Sequence, residues 1–343
     1  MRNKKPIILV ICILLFGIAA GFFFRKGDSF QPSFERQMFA MDTSMKFWAK
    51  GVKSKEAVEA AISEIERLDQ MLSSANPASE VFQLNEQGGG DISEDVFILL
   101  ERGKDFYETT GGVFDLTVYP LMELWGFPSG NHHVPSEVEI GKTLKQVGFE
   151  KVSFDRKHLQ LLEGQKIDFG AIAKGYASDR VIDIYRTFGI ESGMVSLGGN
   201  IKTLGLNNSG KPWKIGIQSP GESDGEIAAS VRVTGKAVVT SGGYERFFQE
   251  NGKTYIHIMN PKTGFPAESD LASVTIISED GTLADALSTS IYLMGLEQGT
   301  DYWRQYGKQF EMVLIDVNGQ IYITEGISQE FESQKSYEII KNK

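Results

Sequence analysis

Twelve consecutive residues, Asp168-Phe169-Gly170-Ala171-Ile172-Ala173-Lys174-Gly175-Tyr176-Ala177-Ser178-Asp179, place carboxylates, an ammonium and two glycines where a turn enters a helix. Gly170 allows close backbone approach to a ligand, and the free N–H groups of a first helical turn favour an anion. The alternative is an ordinary turn whose Asp168 caps the helix. A second constellation begins at Thr282: Asp285, Ser288, Thr289 and Tyr292 fall at i, i+3, i+4 and i+7 and so share one helical face. A carboxylate with a hydroxyl one turn on can hold a hard cation. The same face would also serve as a polar stripe in solvent, with Leu287, Ile291 and Met294 turned inward.

Other candidates are glycine-bearing. Gly111-Gly112-Val113-Phe114-Asp115 reads equally as a backbone-lined pocket or a helix stop. Gly198-Gly199-Asn200 ends the apolar strand Met194–Leu197, and Thr240-Ser241-Gly242-Gly243-Tyr244 follows another strand. Asn251-Gly252 predicts a hairpin turn leading into Tyr255-Ile256-His257-Ile258-Met259. His132-His133, in the loop Ser129 to Pro135, reads as a solvated turn, since adjacent residues share no face of a helix or strand. Familiar signatures fail. Gly141-Lys142-Thr143 and Gly252-Lys253-Thr254 carry Ser136 and Phe247 where a P-loop needs its first glycine. Met194 breaks a nucleophile elbow around Ser196, and no Cys/His cluster has zinc spacing. Glycine loops, one lysine, one histidine and a carboxylate–hydroxyl pair suit a phosphate-bearing ligand with magnesium without specifying one.

The elements that must position these groups are legible from periodicity. Ala173, Ala177, Val181, Ile184, Tyr185 and Phe188 form one apolar helical face closed by Gly189. Ser54 opens a helix with Val58, Ala61, Ile62, Ile65, Leu68 and Leu72 inward. The loop Ser73–Glu80 and the flexible Gly88-Gly89-Gly90 follow, then a helix capped by Ser93 and stopped at Gly111-Gly112. A strand entry is expected at Met41–Met45, strands at Trp213–Ile217 and Val231–Val233, and a hairpin at Asn318-Gly319. Hairpins mixed with helices predict an α+β fold, with mixed or antiparallel sheets and packed helices in a single large domain spanning 33–327, followed by a polar tail, 328–343.

The 343 residues carry a net charge of −10, which argues against a nucleic-acid partner. Pro6 to Phe24 is an uncharged apolar run behind Arg2, Lys4 and Lys5. Residues 1–27 are therefore expected to be a membrane anchor that leaves the domain outside the cytoplasm, with a cleaved signal peptide as the alternative. The only cysteine, Cys12, lies within that run; bulky Ile11 before it fits lipid attachment poorly.

Six segments in order resemble the ApbE-type FAD:protein FMN transferases: Gly112 to Leu121, Asp168 to Asp179, Ser196 to Asn200, Thr240 to Tyr244, His257 to Gly264 and Ala284 to Thr289. The resemblance covers about residues 35 to 325 and implies that family's α+β fold. It implies transfer of FMN from FAD to a threonine or serine hydroxyl of an acceptor flavoprotein, with release of AMP. It implies Mg²⁺ ligands from the Ala171 carbonyl, Asp285 and Thr289. It implies an FAD site lined by Met41, Val113, Phe114, Asp115, Asp168, Lys174, Gly198, Gly199 and Met259, with His257 as the base. The implied acceptors are extracytoplasmic flavoproteins of respiratory or electron-transfer complexes. Two positions depart from the family: Asp42 stands where glycine is usual, and Ala75 where many members carry a tyrosine over the flavin ring. The second departure keeps hydrolysis of FAD to FMN and AMP open as the alternative activity. A non-catalytic exported flavin-binding protein is the reading from a different class, but it would need neither metal ligands nor a base.

Overall fold

Ser33–Ala40 and Thr43–Lys50 pair antiparallel with Ala40 opposite Thr43, so Met41 and Asp42 alone make the turn. Both have positive φ, 46° and 58°, as the two central residues of a type I′ turn require. The strained backbone at Asp42 explains why glycine suits this position. This hairpin starts a nine-stranded sheet whose spatial order follows chain order: Ser192–Leu197, Asn200–Leu204, Ala237–Gly242, Leu271–Ser278, Phe310–Asp316, Ile321–Thr324 and Tyr337–Ile340 come next. Neighbours are antiparallel except the last pair, which is parallel. The α+β expectation, with a mixed sheet, holds.

The computed structural model describes residues 31–221, 226–244 and 246–342. The anchor expected at 1–27, with Cys12, lies outside them. Among the described residues no helix is long and apolar enough to cross a membrane.

Each face of the sheet is covered by a different partner. On one, helices Ser54–Leu72 and Ala173–Thr187 insert the apolar faces their spacing predicts, including Val58, Ala61, Ile65, Ala177, Val181 and Tyr185. On the other, a three-stranded sheet of Trp213–Gln218, Ile227–Val233 and Phe331–Ser333 packs Ile215, Ile217 and Val231 against Val238, Ile277 and Val313.

Three expectations change. A helix, Glu80–Gln87, occupies the stretch ahead of Gly88, capped by Ser79, whose Oγ accepts the Phe82 N–H at 3.0 Å. Gly88–Gly90 is not a slack connection: Gly89–Asp91 pairs with His158–Gln160, and a Cβ on Gly89 would lie 2.2 Å from the Leu159 carbonyl oxygen. The polar tail expected at 328–343 is structured through 342, since Phe331–Ser333 and Tyr337–Ile340 are strands of the two sheets. At three and four residues they are too short to show a strand period in the sequence.

The helix Ala173–Thr187 crosses the N-terminal part of the long helix Gly281–Tyr306, which is broken at Gly295. At the crossing a Cβ on Gly175 would sit 2.2 Å from the Gly281 carbonyl oxygen and 2.7 Å from Asp285 Cβ. Only glycine permits this approach. Gly175→Ala is therefore expected to cost about 1–3 kcal/mol of stability, measured by denaturant unfolding; wild-type stability in that variant would show that the helices can move apart freely.

Candidate active site

Strand register gathers the glycine turns at one end of the sheet. Met45 pairs with Leu197, Leu197 with Asn200, Asn200 with Val239, and Gly242 with Ser273. The Met41–Asp42 turn, the Gly198–Gly199 turn and the Gly242–Gly243 exit therefore lie side by side. A Cβ on Gly198 would strike Thr43 Oγ1 at 2.1 Å, so the first two turns touch. Helix Ala173–Thr187 returns into Ser192–Leu197 through a short link, which brings its N-terminus to the same end. The long helix runs from the Asp179 level toward that end, bringing Asp285 beside Gly175 and Ser288 beside Ser241.

Asp285 is the centre of the cluster. Its side chain is buried at 4% exposure, and Ser288 is wholly buried, so the face Asp285–Ser288–Tyr292 is no solvent stripe. Asp285 Oδ2 accepts the Gly175 N–H at 2.8 Å. At this N-terminal turn the Gly175 N–H has no partner within its own helix, whose N-cap is Ile172, and Asp285 supplies one. Ser241 Oγ bonds Ser288 Oγ at 2.8 Å and lies 3.4 Å from Thr289 Oγ1. Asp285 and Thr289, one turn apart on the same helix, supply hard oxygens with a single carboxylate. Among the described residues no group of three or more His, Cys, Asp or Glu gathers to hold a metal. Mg²⁺ is commonly held by one or two carboxylates and completed by water and substrate phosphate. The set fits an ion of that kind.

Sequence reasoning missed the device that aligns this helix. Asp179 caps it from outside: Oδ1 accepts the Gly281 N–H at 2.9 Å, and Oδ2 accepts the Thr282 N–H and hydroxyl at 2.9 and 2.8 Å. Lys202, buried in the sheet, pairs with the same carboxylate and donates to the Glu279 carbonyl at 3.0 Å. The one legible signal was Asp179 closing the polar run at 168–179.

Asp168 does not cap the helix, whose N-cap position is Ile172. Its Oδ1 accepts the Gly170 N–H at 2.8 Å, and its Oδ2 accepts from Ser74 Oγ at 2.5 Å. This ties the Ser73–Glu80 loop to the helix entrance. Lys174 is part-exposed near His257, where its charge is felt. Met41 is held through its N–H, donated to Asp69 Oδ1 at 2.9 Å.

Other expected lining residues are committed to packing. The Phe114 ring is buried against Phe106, leaving its backbone as the part able to meet a ligand. Asp115 accepts from the Thr117 N–H and hydroxyl and from the Phe149 N–H, and burial pushes its carboxyl upward against those bonds. It organises the chain behind Val113. Met259 packs with Leu121, Trp125 and Ile140.

His257 follows the hairpin Phe247–Glu250/Lys253–Ile256. Its N–H and its Nδ1 both meet the Arg246 carbonyl oxygen, at 3.0 and 3.2 Å. A carbonyl only accepts, so Nδ1 carries the proton and Nε2 keeps its lone pair. The ring edge is partly open to solvent, yet crowding by protein atoms lowers the imidazole to about 4; the nearby Arg246 and Lys174 charges push the same way. Asp42, on the opposing turn, forms an exposed ion pair with Arg246 at 3.5 Å, a contact of small energetic weight.

Hydroxyl and carboxylate oxygens, a lysine and a neutral histidine thus gather around the turns at one end of the sheet. A model of the ApbE family matches residues 41–314, and the chain belongs to that family. It is 32% identical to the FAD:protein FMN transferase of Klebsiella pneumoniae (strain 342), over 76% of this chain and 82% of that protein. To the enzyme of the same name from Treponema pallidum (strain Nichols) it is 33% identical, over 73% and 74%. The crystal structure of the Thermotoga maritima ApbE protein superposes with a TM-score of 0.81 at 34% identity, covering 87% of this chain and 99% of that one. The apo flavinyl transferase ApbE of Pseudomonas stutzeri gives 0.79 at 29% identity, covering 89% and 98%.

Because His257 is depressed, it remains neutral far below the pH at which a solvated imidazole takes up its proton. The acid limb of kcat/KM for any reaction using Nε2 as base is expected nearer pH 4 to 5 than 6.5. A limb at 6.5 in the free enzyme would contradict this environment.

Proposed function

We propose that this member of the ApbE family transfers FMN from FAD to a threonine or serine hydroxyl of an acceptor flavoprotein, with release of AMP. The observation that carries the reading is the buried Asp285, tied to the Gly175 N–H next to Lys174 in the chain, with Thr289 one helical turn on. The family relatives named as FAD:protein FMN transferases support the chemistry.

Each residue then has a task. Lys174 and the glycine turns at 198–199 hold the pyrophosphate, where a point charge and close backbone are needed. Arg246 fixes the His257 tautomer through its carbonyl, so Nε2 faces the acceptor hydroxyl as base. The hydroxyl gives its proton to Nε2 as its oxygen bonds to the phosphorus of the FMN half. The bond to the bridging oxygen breaks, and AMP departs with that electron pair. Mg²⁺ held by Asp285, Thr289 and the Ala171 carbonyl would neutralise charge on the pyrophosphate and on the leaving AMP. Met41, Val113, Phe114, Asp115 and Met259 shape the FAD cleft chiefly through backbone and packing. The apolar run Pro6–Phe24 supports anchoring at the membrane with the domain outside the cytoplasm, where acceptors of respiratory or electron-transfer complexes would meet it.

The direct test incubates the protein with FAD, Mg²⁺ and a threonine-bearing acceptor, and measures both AMP and covalently bound flavin. Asp285→Ala is expected to lower turnover on the order of a hundredfold or more while circular dichroism remains native. A folded variant that releases AMP at the wild-type rate would sink the assignment.

Hydrolysis is the second reading, favoured by one observation. Ala75 is exposed at the tip of its loop and borders a cavity of about 220 Å³ lined also by Ser74, Tyr119 and Lys166. Water needs only access to phosphorus, whereas an acceptor hydroxyl must be positioned. Ala75→Tyr is expected to tighten FAD about threefold to tenfold and to raise the ratio of flavin transferred to flavin released. Unchanged affinity and ratio would show that this loop does not cover the flavin.

A further inference from the structure

The hairpin Phe247–Glu250/Lys253–Ile256 is a two-stranded sheet that joins no other strand among the described residues, and such a ribbon does not hold its position alone. What holds it is a set of rings from outside. Phe248 and Tyr255 are cross-strand partners and stack at 5.1 Å. Tyr255 meets the fully buried Trp125 at 5.3 Å, and Trp125 is itself fixed by donating from Nε1 to the Gly264 carbonyl at 3.0 Å. On the outer side the His132 ring lies on Phe248 at 4.9 Å, tilted by only 3°, and Phe127 closes the group at 5.4 Å from His132 and 5.7 Å from Phe248. The loop histidine with no metal partner thus has a definite place. The clamped pair lies two positions from Arg246 and His257, about 7 Å along the strand.

We propose that Phe127, His132 and Phe248 are positioning residues for the transfer step. Their stack pins the hairpin and thereby sets where His257 Nε2 stands relative to the acceptor hydroxyl. This rests on the assignment of His257 as base. Loosening the stack lets the hairpin lift and carries the base away, while the FAD site on the helices and sheet turns stays in place. The effect belongs in kcat for transfer, not in FAD affinity.

The test uses Phe248→Ala, the milder Phe248→Leu, His132→Ala and His132→Phe in the full chain, each first confirmed to be folded. Phe248→Ala is expected to lower kcat for flavin transfer about tenfold to a hundredfold, the range a base misplaced by an ångström gives, with the FAD dissociation constant within about twofold. Phe248→Leu and His132→Ala should fall less, and His132→Phe, which keeps a ring in the stack, should restore the rate. In a His257→Ala background Phe248→Ala should cost nothing further, because the residue it positions is gone. A His257→Ala enzyme as fast as wild type would defeat the base assignment itself. If His257→Ala is slow, the positioning role alone is overturned by clamp variants at the wild-type rate, by an equal fall in both backgrounds, or by a loss expressed in FAD affinity.

Discussion

One hydrogen bond sets the character of this site: the Gly175 N–H donated to Asp285 Oδ2 at 2.8 Å. It needs two helices closer than any side chain at position 175 would allow, and glycine provides that approach at the N-terminal turn, where its cost in helix propensity is smallest. The consequences are coupled. The bond gives a buried carboxylate a partner, without which burial would be expensive. It also gives a partner to an N-terminal N–H that has none within its own helix. In the proposed cation site this carboxylate acts with Thr289 one turn further along and with the Ala171 carbonyl.

Around this contact the fold behaves as a jig. The ladder carries the Met41–Asp42 turn and two glycine-bearing turns to the same sheet end, and Asp179 with buried Lys202 locks the start of the long helix at the right height. The chain is acidic overall, yet the charges of Lys174 and Arg246 are both felt at His257. The same cations and the crowding around His257 keep its imidazole neutral, the state in which it can accept a proton.

Much of this was legible in the residues, and the failures have physical causes. Helical faces and hairpins followed from apolar spacing and from Asn-Gly pairs, because those signals are local. The helix Glu80–Gln87 was hidden because it is short and only three of its residues are buried. The final strands resemble a tail in the sequence because they are only three and four residues long, too short to show a period. The face carrying Asp285 reads in sequence as cation ligand or solvent stripe, since the Gly175 that meets it lies 110 positions away. Asp179 and Lys202 act across the fold, and no spacing rule connects them. His132 was placed correctly in a loop, but its stack on Phe248 joins residues more than a hundred positions apart.

The central claim is that a lone carboxylate with neutral oxygens forms a cation site completed by the phosphates of FAD. Calorimetric titration of Mg²⁺ into the protein, with and without saturating FAD under conditions that block turnover, addresses it directly. The account predicts weak binding to the free protein and markedly tighter binding with FAD present, with reciprocal tightening of FAD by Mg²⁺. Equal Mg²⁺ affinity in both titrations, or FAD-dependent tightening that survives in Asp285→Ala, would contradict it.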